Sequence, residues 1–283
     1  MAITNFIPEY WSSKLLVALR DKLTYAQPGV INRNYEGEIS QAGDTVHITN
    51  FVDPSTRAYT RNNSITYDIL TDATRALVID QERYFAFSVD DVDKRQALGG
   101  FVQEATTGAS YNLAADADEF LSGLMLAGVD AGNQLGAETV ADGDDAYDLL
   151  VEFRTLLKRA NTPDQGRWVA VPPEFYALLL KSDLFVRADA SGTTEGLRNG
   201  FVGRAAGFDI LESNVVPEGS GGTFGVIAGH SIATTYAEQI VKTEALRLET
   251  TFGDGIRGLH VYGAKVVRPT NLASAVVTIS TGS

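Results

Sequence analysis

Residues 43–93 read GDTVHITNFVDPSTRAYTRNNSITYDILTDATRALVIDQERYFAFSVDDVD, and this stretch decides the fold. It opens with an alternating strand pattern at Thr45–Val52 and returns in strand-like runs at Arg75–Asp80 and Tyr84–Val89. The residues in between are polar and offer few apolar anchors. A connection this long is uncommon inside a compact domain, and an isolated two-stranded ribbon is only marginally stable in water. The stretch therefore predicts an arm that lies on a neighbouring molecule.

An amphipathic helix is predicted on the N-terminal side of this arm. Pro8 suits the first position of a helix, and Pro28-Gly29 ends it. Apolar residues recur at helical spacing at Ile7, Trp11, Leu15, Leu19 and Leu23. Two interpretations stay open, because this apolar stripe could pack on the chain's own core or dock under an adjacent subunit.

A longer helix is predicted on the C-terminal side, from about Phe101 to Ala127, with Gly128 as its stop. Its apolar side is formed by Leu113, Ala117, Phe120, Leu121, Leu124 and Met125. The other side carries Asp116, Asp118 and Glu119 and is expected to face water.

From Asp145 onward the pattern alternates between helices and strands, which indicates a mixed α/β region. A helix should begin near the acidic cluster at 142–145, and Pro172-Pro173 should start a short one. Strands are expected at Trp168–Val171, Phe208–Leu211, Thr223–Ala228, Ala245–Thr251 and Leu259–Val267.

Composition narrows the function classes. The chain has 283 residues, of which 44% are hydrophobic and 21% charged, as in a folded soluble protein. It has no apolar run long enough to span a bilayer, no visible secretory signal and no cysteine, so we expect no membrane partner and synthesis in the cytoplasm. A net charge of −13 speaks against sequence-reading nucleic-acid binding.

The sequence carries none of the common motifs of enzymes and metal sites. The sequence has no phosphate loop and no nucleophile elbow. His47, His230 and His260 stand singly, without a spaced partner that would suggest a metal site. The Asp142-Gly143-Asp144-Asp145 turn fits a helix cap better than a calcium loop. We therefore expect no catalytic residue, no cofactor and no metal.

Six passages in order along the chain carry a resemblance to a known family. They are FIPEYWSSKLLVALRDKL at 6–23, INRNYEGEISQAGDTVHI at 31–48, YFAFSVDDVDKRQA at 84–97, GRWVAVPPEFYALLL at 166–180, GFVGRAAGFDILESNVVP at 200–217 and GLHVYGAKVVRPTNLA at 258–273. Together they resemble the major capsid proteins of tailed double-stranded DNA bacteriophages. No passage is a catalytic signature, and it is their order that is specific.

The resemblance implies an α+β capsid fold with five parts. These are an N-terminal arm at 1–39, an extended two-stranded loop at 40–82, a spine helix with peripheral domain at 83–128, an axial α/β domain at 129–245, and peripheral strands with the C-terminus at 246–283. It makes the arm and the loop the contacts between subunits. Candidate contact residues are Trp11, Leu15, Leu19, Arg57, Tyr59 and Arg61.

The implied function is a structural one, in which copies self-assemble into pentamers and hexamers of an icosahedral shell around the double-stranded DNA genome. Implied partners are other copies, a portal, a scaffolding protein and a decoration protein, with only weak non-specific contact to DNA. The implied location is the virion capsid. Two alternatives remain at this stage: an encapsulin-like compartment, and a soluble α/β enzyme with an unrecognised site.

The sequence departs from the family in two respects. Some members carry an N-terminal scaffolding domain, whereas this chain begins almost directly at the arm, which indicates a mature form or a separate scaffold. Others form an amide cross-link through a Lys in the extended loop. This chain has no Lys between Lys22 and Lys94, so we expect its subunits to be held by non-covalent contacts alone.

Overall fold

The computed structural model describes residues 24–34, 45–48, 58, 61, 75–90, 101–182, 204–248 and 253–280. The helices in these ranges are α1 (Phe101–Ala127), α2 (Gly143–Arg159) and α3 (Pro173–Leu179). The strands are β1 (Thr45–Ile48), β2 (Arg75–Val78), β3 (Gln81–Asp90), β4 (Gln134–Val140), β5 (Arg167–Val171), β6 (Arg204–Ala205), β7 (Phe208–Glu212), β8 (Glu218–Gly219), β9 (Thr223–His230), β10 (Thr234–Arg247), β11 (Gly253–Val266) and β12 (Leu272–Ile279). Within these ranges no helix has the length and apolar content that a membrane crossing requires.

Helix α1 has the bounds that its periodicity predicts. Its buried row follows the four-residue spacing of one helix face and comprises Leu113, Ala117, Leu121 and Met125. The predicted polar side is wrong at Asp118, which is only 3% exposed. The helix is followed by Gly128, where the chain passes so close to β11 that a Cβ atom would lie 2.6 Å from Cγ2 of Val266.

A three-stranded antiparallel sheet in the order β10-β11-β3 packs on one side of α1. The ring of Tyr262 on β11 meets the ring of Phe120 on α1 edge to face, with centroids 5.6 Å apart. The strand predicted at Ala245–Thr251 is wrong in its start, because β10 begins at Thr234 and ends at Arg247. Strand β11 is likewise longer than predicted and begins at Gly253.

The second sheet has seven strands in the order β4-β12-β9-β5-β7-β6, with β8 paired to β9. Helices α2 and α3 cover one face of it, and their apolar side chains share a buried cluster with β5, β7, β9 and β12. Its other face contributes Trp168 and Ile227 to the cluster around α1. Helix α1 therefore lies between the two sheets and is buried by both.

The local signals at α2 and α3 act as the sequence predicts. Asp142 caps α2 by accepting hydrogen bonds from the backbone N–H groups of Asp144 and Asp145, each at 3.0 Å. This confirms the predicted helix cap. After the last helical residue, Arg159, the chain turns away from α2 at Asn161, which has a φ of 56°. The N–H of Thr162 then donates to the carbonyl of Leu157 at 3.0 Å.

Strands β1 and β2 form a separate antiparallel pair, with Ile48 opposite Arg75. The chain continues from β2 across β11 at Gly263. A Cβ atom on Gly263 would lie 2.3 Å from the carbonyl oxygen of Val78 and 2.9 Å from Cα of Ile79. Only glycine permits this crossing, which fixes the base of the β1–β2 pair on the three-stranded sheet.

Candidate assembly interface

Residues 24–34 form a buried anchor at the start of the described chain. Tyr25, Ala26, Val30 and Ile31 are each at most 2% exposed, and they pack into the cluster that contains α1. These residues fall within the arm predicted at 1–39, and this part of it packs into the core of its own subunit. We refer to residues 24–34 as the anchor segment.

One side chain on α1 holds the first turn of the anchor segment. The carboxylate of Asp118 accepts hydrogen bonds from three successive backbone N–H groups, those of Thr24 at 2.6 Å, Tyr25 at 3.0 Å and Ala26 at 3.3 Å. A buried N–H group without a partner costs about 1–3 kcal/mol. Asp118 satisfies three at once, which explains an acidic residue on the buried side of the helix.

A buried ion pair holds the other end of the anchor segment. The guanidinium of Arg33 bonds to Glu238 on β10 and donates a hydrogen bond to the carbonyl oxygen of Ala26 at 2.9 Å. Glu238 also accepts from the hydroxyl of Tyr236 at 2.8 Å and from Nε2 of His260 at 3.3 Å. The side chains of Glu238 and His260 are fully buried.

The backbone adds a short parallel bridge between these two contacts. The N–H of Asn32 donates to the carbonyl of Thr234 at 3.0 Å, and the N–H of Tyr236 donates to the carbonyl of Asn32 at 3.0 Å. The guanidinium carbon of Arg33 lies 5.3 Å from the centre of the Tyr236 ring. The anchor segment thereby becomes an added edge element of the three-stranded sheet.

The two buried carboxylates have opposite electrostatic environments. Burial raises the pKa of Asp118 to about 6, against the lowering effect of its three backbone hydrogen bonds, and the nearby charge of Glu238 raises it further. Burial also acts to raise the pKa of Glu238. There the hydrogen bond from His260 and the charge of Arg33 outweigh burial and lower the pKa to about 2. Glu238 is therefore ionised at neutral pH.

A second candidate surface lies on the face of the three-stranded sheet that is turned away from α1. Side chains alternate along β3, so Phe85 packs towards α1 while Tyr84 points outward and is 78% exposed. A concavity of ≈ 500 Å³ opens here, lined by Tyr84, Ala86, Glu244, Arg257, Gly258 and Leu259. We call it the open face.

The open face is apolar at its centre and charged at one end. Arg257 and Glu244 lie opposite each other in the strand register, and Nη2 of Arg257 is 2.6 Å from Oε2 of Glu244. An exposed tyrosine beside an apolar hollow is typical of protein–protein interfaces, where aromatic anchors contribute much of the binding energy. The geometry suits the docking of another protein segment.

Most of the predicted contact residues lie outside the described ranges. Trp11, Leu15, Leu19, Arg57 and Tyr59 fall there, and so does the predicted helix that contains the first three. Arg61 lies in a turn and is exposed.

The residues that hold the anchor segment were not predicted from the sequence. A sequence signal for Asp118 did exist, since this acidic residue lies at the border of the apolar stripe of α1, beside Ala117 and near Leu121. The prediction placed it on the polar side of the helix. Glu238 and His260 carried none, since they are 22 residues apart and meet only across two strands.

Comparison with known proteins gives the family and the fold. A family model described as phage capsid protein matches residues 72–275. A solved structure from Mycobacterium phage Che8 is 36% identical to this chain, covers 87% of it and 88% of its own chain, and superposes with a TM-score of 0.69. A search of curated proteins gave no match.

Two more distant structures share the fold. The capsid structure of cyanophage P-SCSP1u is 16% identical, with coverage of 86% of this chain and 85% of its own and a TM-score of 0.68. A virus-like particle from Pyrococcus furiosus is 13% identical, with coverage of 96% and 99% and a TM-score of 0.56. At these identities the similarity establishes the architecture alone.

Proposed function

We propose, from the premise that this chain belongs to the phage capsid protein family, that its copies build the pentamers and hexamers of an icosahedral shell around a double-stranded DNA genome. The family makes the chain a structural component of the virion capsid and not an enzyme. The α+β capsid fold confirms the fold class expected from the sequence. The enzyme alternative is thereby not favoured.

The compartment alternative is not favoured either. The family model covers residues 72–275, and the Che8 structure is 36% identical. By contrast, the particle from Pyrococcus furiosus is 13% identical and supports only a shared fold. The family match is thus the observation that carries the capsid function.

The proposal also specifies which surfaces of neighbouring copies meet. The pairing of Ile48 with Arg75 brings the two ends of the extended loop together at one place on the subunit. A loop of this length and polarity has few apolar groups with which to pack on its own body. We assign it to the open face of a neighbouring copy, where Tyr84 and the apolar hollow are exposed.

Charge supports this assignment. The loop carries Arg57 and Arg61 with Tyr59 between them. Glu82 is exposed on the same side of β3 as Tyr84. A guanidinium fits carboxylates and aromatic rings well, and a single exposed pair contributes on the order of 0–1 kcal/mol. The contact gains strength by repetition in a closed shell.

The N-terminal arm supplies the apolar part of the contact. Trp11, Leu15 and Leu19 would bury a common stripe on a neighbouring copy, beginning from the anchor segment. At about 25 cal/mol per Å² of buried apolar area, an interface of about 1,600 Å² gives ample gross stabilisation. Ordering the arm offsets much of it, at about 1–2 kcal/mol per residue.

The remaining assignments follow from the family. The division at 1–39, 40–82, 83–128, 129–245 and 246–283 stays a proposal. So do a portal, a scaffolding protein and a decoration protein as partners, a weak and non-specific contact with packaged DNA, and synthesis in the cytoplasm of the bacterial host.

The proposed function is tested by whether the chain forms particles and by what those particles contain. We expect the purified chain to form megadalton shells by electron microscopy, and particles from infected cells to hold nuclease-protected double-stranded DNA. Particles that hold an enzyme cargo in place of DNA would contradict the capsid function.

The loop contact is tested by charge reversal. Arg57→Glu with Arg61→Glu should lower shell yield. The effect should be strongest at low salt, because the distance over which charges interact shortens as ionic strength rises. Lys181→Glu with Arg204→Glu makes the same change in net charge at exposed sites that follow α3 and lie in β6, away from the base of the loop at Gly263, and serves as the control. Equal yields from the two double variants would contradict the electrostatic role of the loop.

A further inference from the structure

Helix α2 has an outward face with most of its acidic residues on one flank and basic residues on the other; the exception is Arg159, the last residue of the helix, which falls in line with the acidic residues. Its inward side belongs to the buried core of the seven-stranded sheet. At 3.6 residues per turn, Asp145, Asp148 and Glu152 fall on one flank of the outward face, which we call the acidic flank. The opposite flank carries Arg154 and Lys158, which we call the basic flank. All five side chains are exposed.

An exposed apolar residue lies between the two flanks. Val151 is the middle residue of the 17 in α2 and is 41% exposed. The neighbouring residues Leu150 and Phe153, which face inward, are fully buried. A large apolar side chain at the centre of a charged face, with a charged rim on both sides, has the composition of a small protein–protein contact.

The acidic flank is poorly satisfied within the subunit. In the described part of the chain no ion pair engages Asp148 or Glu152. These two stand four residues apart, and like charges at this spacing destabilise a helix. On the basic flank, Lys158 pairs with Asp164 across an exposed contact in which both side chains are at least 60% exposed, an arrangement that contributes little to stability.

A second copy of the same chain is the partner that this face fits. The two flanks are complementary in sign and are separated by an apolar residue, so the acidic flank of one copy matches the basic flank of the next. A contact between two different patches of identical subunits is head-to-tail, and such contacts close into rings when the rotation permits. The chain as a whole carries a net charge of −13, which makes a local basic flank a specific target for an acidic one.

We propose that the outward face of α2 is a contact between neighbouring copies in a ring, in which Asp148 and Glu152 of one copy lie against Arg154 and Lys158 of the next, with Val151 at the centre. This inference rests on the proposed capsid function and adds one contact surface to it. It is separate from the extended loop and from the open face.

Charge reversal with rescue tests the contact. Variant A carries Asp148→Lys and Glu152→Lys, and variant B carries Arg154→Glu and Lys158→Glu. Each should raise the subunit concentration needed for assembly at least tenfold at low salt. Variant A combined with B in one chain restores complementarity with the signs exchanged, and assembly should return to within about threefold of wild type, since rim charges act through complementarity.

A matched control separates the contact from net charge. Glu174→Lys with Glu218→Lys changes the net charge as variant A does, at exposed residues on α3 and β8, and should leave assembly unchanged. The lysines of variant A keep a like-charge pair at the same spacing, so the internal repulsion along the helix is retained. Urea unfolding of the unassembled subunits identifies any variant that fails to fold.

Cysteine cross-linking decides the contact even if a reversed variant does not fold. The chain has no cysteine, so Glu152→Cys with Arg154→Cys introduces the only thiols. Two residues apart on a helix, these thiols do not face each other. Mild oxidation of assembled particles should give a ladder up to the size of the ring, while each single cysteine variant gives monomer.

The results divide cleanly. The contact is supported if variants A and B each assemble poorly, if the combined variant recovers assembly, and if the double cysteine variant gives a cross-linked ladder. Wild-type assembly by A and B, or monomer alone from the oxidised double cysteine variant, overturns it while the capsid function stands. A wild-type chain that forms no particles overturns the capsid function and this contact together.

Discussion

Removal of the guanidinium of Arg33 is the sharpest perturbation of the anchor segment. Arg33 joins Ala26, at the start of the segment, to Glu238 on β10. The variant Arg33→Ala leaves Glu238 fully buried without its cation, although Tyr236 and His260 remain bonded to it. We expect the anchor segment to detach and the subunit to lose stability.

The burial of the pair gives the size of the loss. Breaking a buried ion pair by removing one partner costs about 3–5 kcal/mol. The pKa of Glu238 is lowered by the hydrogen bond from His260 as well as by the charge of Arg33, so the variant retains part of the stabilisation and the loss should lie at the lower end of this range. We therefore expect a loss of about 3 kcal/mol, or about 6–12 °C in melting temperature for a chain of this size.

The assay is urea unfolding of the unassembled subunit, below the concentration at which copies associate, because association adds stability by mass action. Hydrogen exchange at the backbone N–H of Tyr236, which bonds to Asn32, reports detachment of the anchor segment directly. The control is Arg204→Ala, which breaks an ion pair with Asp209 at side chains 72% and 46% exposed, and should cost at most about 1 kcal/mol.

Acid gives an internal check on the same argument. Since the pKa of Glu238 is lower in the folded state, its contribution is present above the ordinary value of 4.5 and is lost as the pH falls towards 2. Arg33→Ala should flatten this part of the pH dependence. A loss no larger than that of Arg204→Ala, with unchanged hydrogen exchange at Tyr236, would refute the account of the anchor.

Three further predictions concern other parts of the subunit. Burial raises the pKa of Asp118 from 3.8 to about 6, so the free energy of unfolding should fall as the pH rises from about 4 to about 7. Urea unfolding at a series of pH values should show that this decrease is lost in Asp118→Ala. The same pH dependence in the variant and the wild type would contradict the prediction. Gly263→Ala places a Cβ atom against the backbone of β2 and should destabilise by about 1–3 kcal/mol or more. The control is Gly123→Ala, at an open position of α1, which should stabilise by about 1 kcal/mol in the same unfolding measurement. Equal changes in the free energy of unfolding for the two variants would rule out the close crossing of β11 at Gly263. Finally, boiled particles should run only as monomer on a denaturing gel, since the chain has no cysteine; a surviving ladder would reveal a covalent cross-link.

Signals confined to one turn or one periodic stretch could be predicted from the sequence. The apolar row of α1 predicts a long helix over about 101–127, and the observed helix spans Phe101–Ala127, because a long amphipathic helix repeats the same signal at every turn. Asp142 predicts the start of α2, because it stands just before two further aspartates that suit the first turn of a helix. The buried strand β5 and the proline at the start of α3 are equally local.

Features that depend on distant partners could not be predicted. Asp118 is buried because the N–H groups that it binds come from 92 to 94 residues earlier in the chain. Strand β10 begins at Thr234, whereas the prediction began at Ala245, because its first part carries polar residues such as Glu238. The partners that accommodate this buried glutamate, Arg33 and His260, are distant in the sequence. Strand β4 lies at the edge of its sheet with mostly exposed side chains, so its hydrophobic signal is weak.

The attachment at Asp118 has a mechanical consequence. A pull applied through the residues before Thr24 reaches three hydrogen bonds that end on one carboxylate. The three donors are consecutive in the chain, so such a pull should open them in order from Thr24 to Ala26, and the buried side chains of Tyr25 and Ala26 then bear the load. Under the proposed function, Asp118 and this buried turn together would act as a clamp against force that reaches the subunit from its N-terminal side.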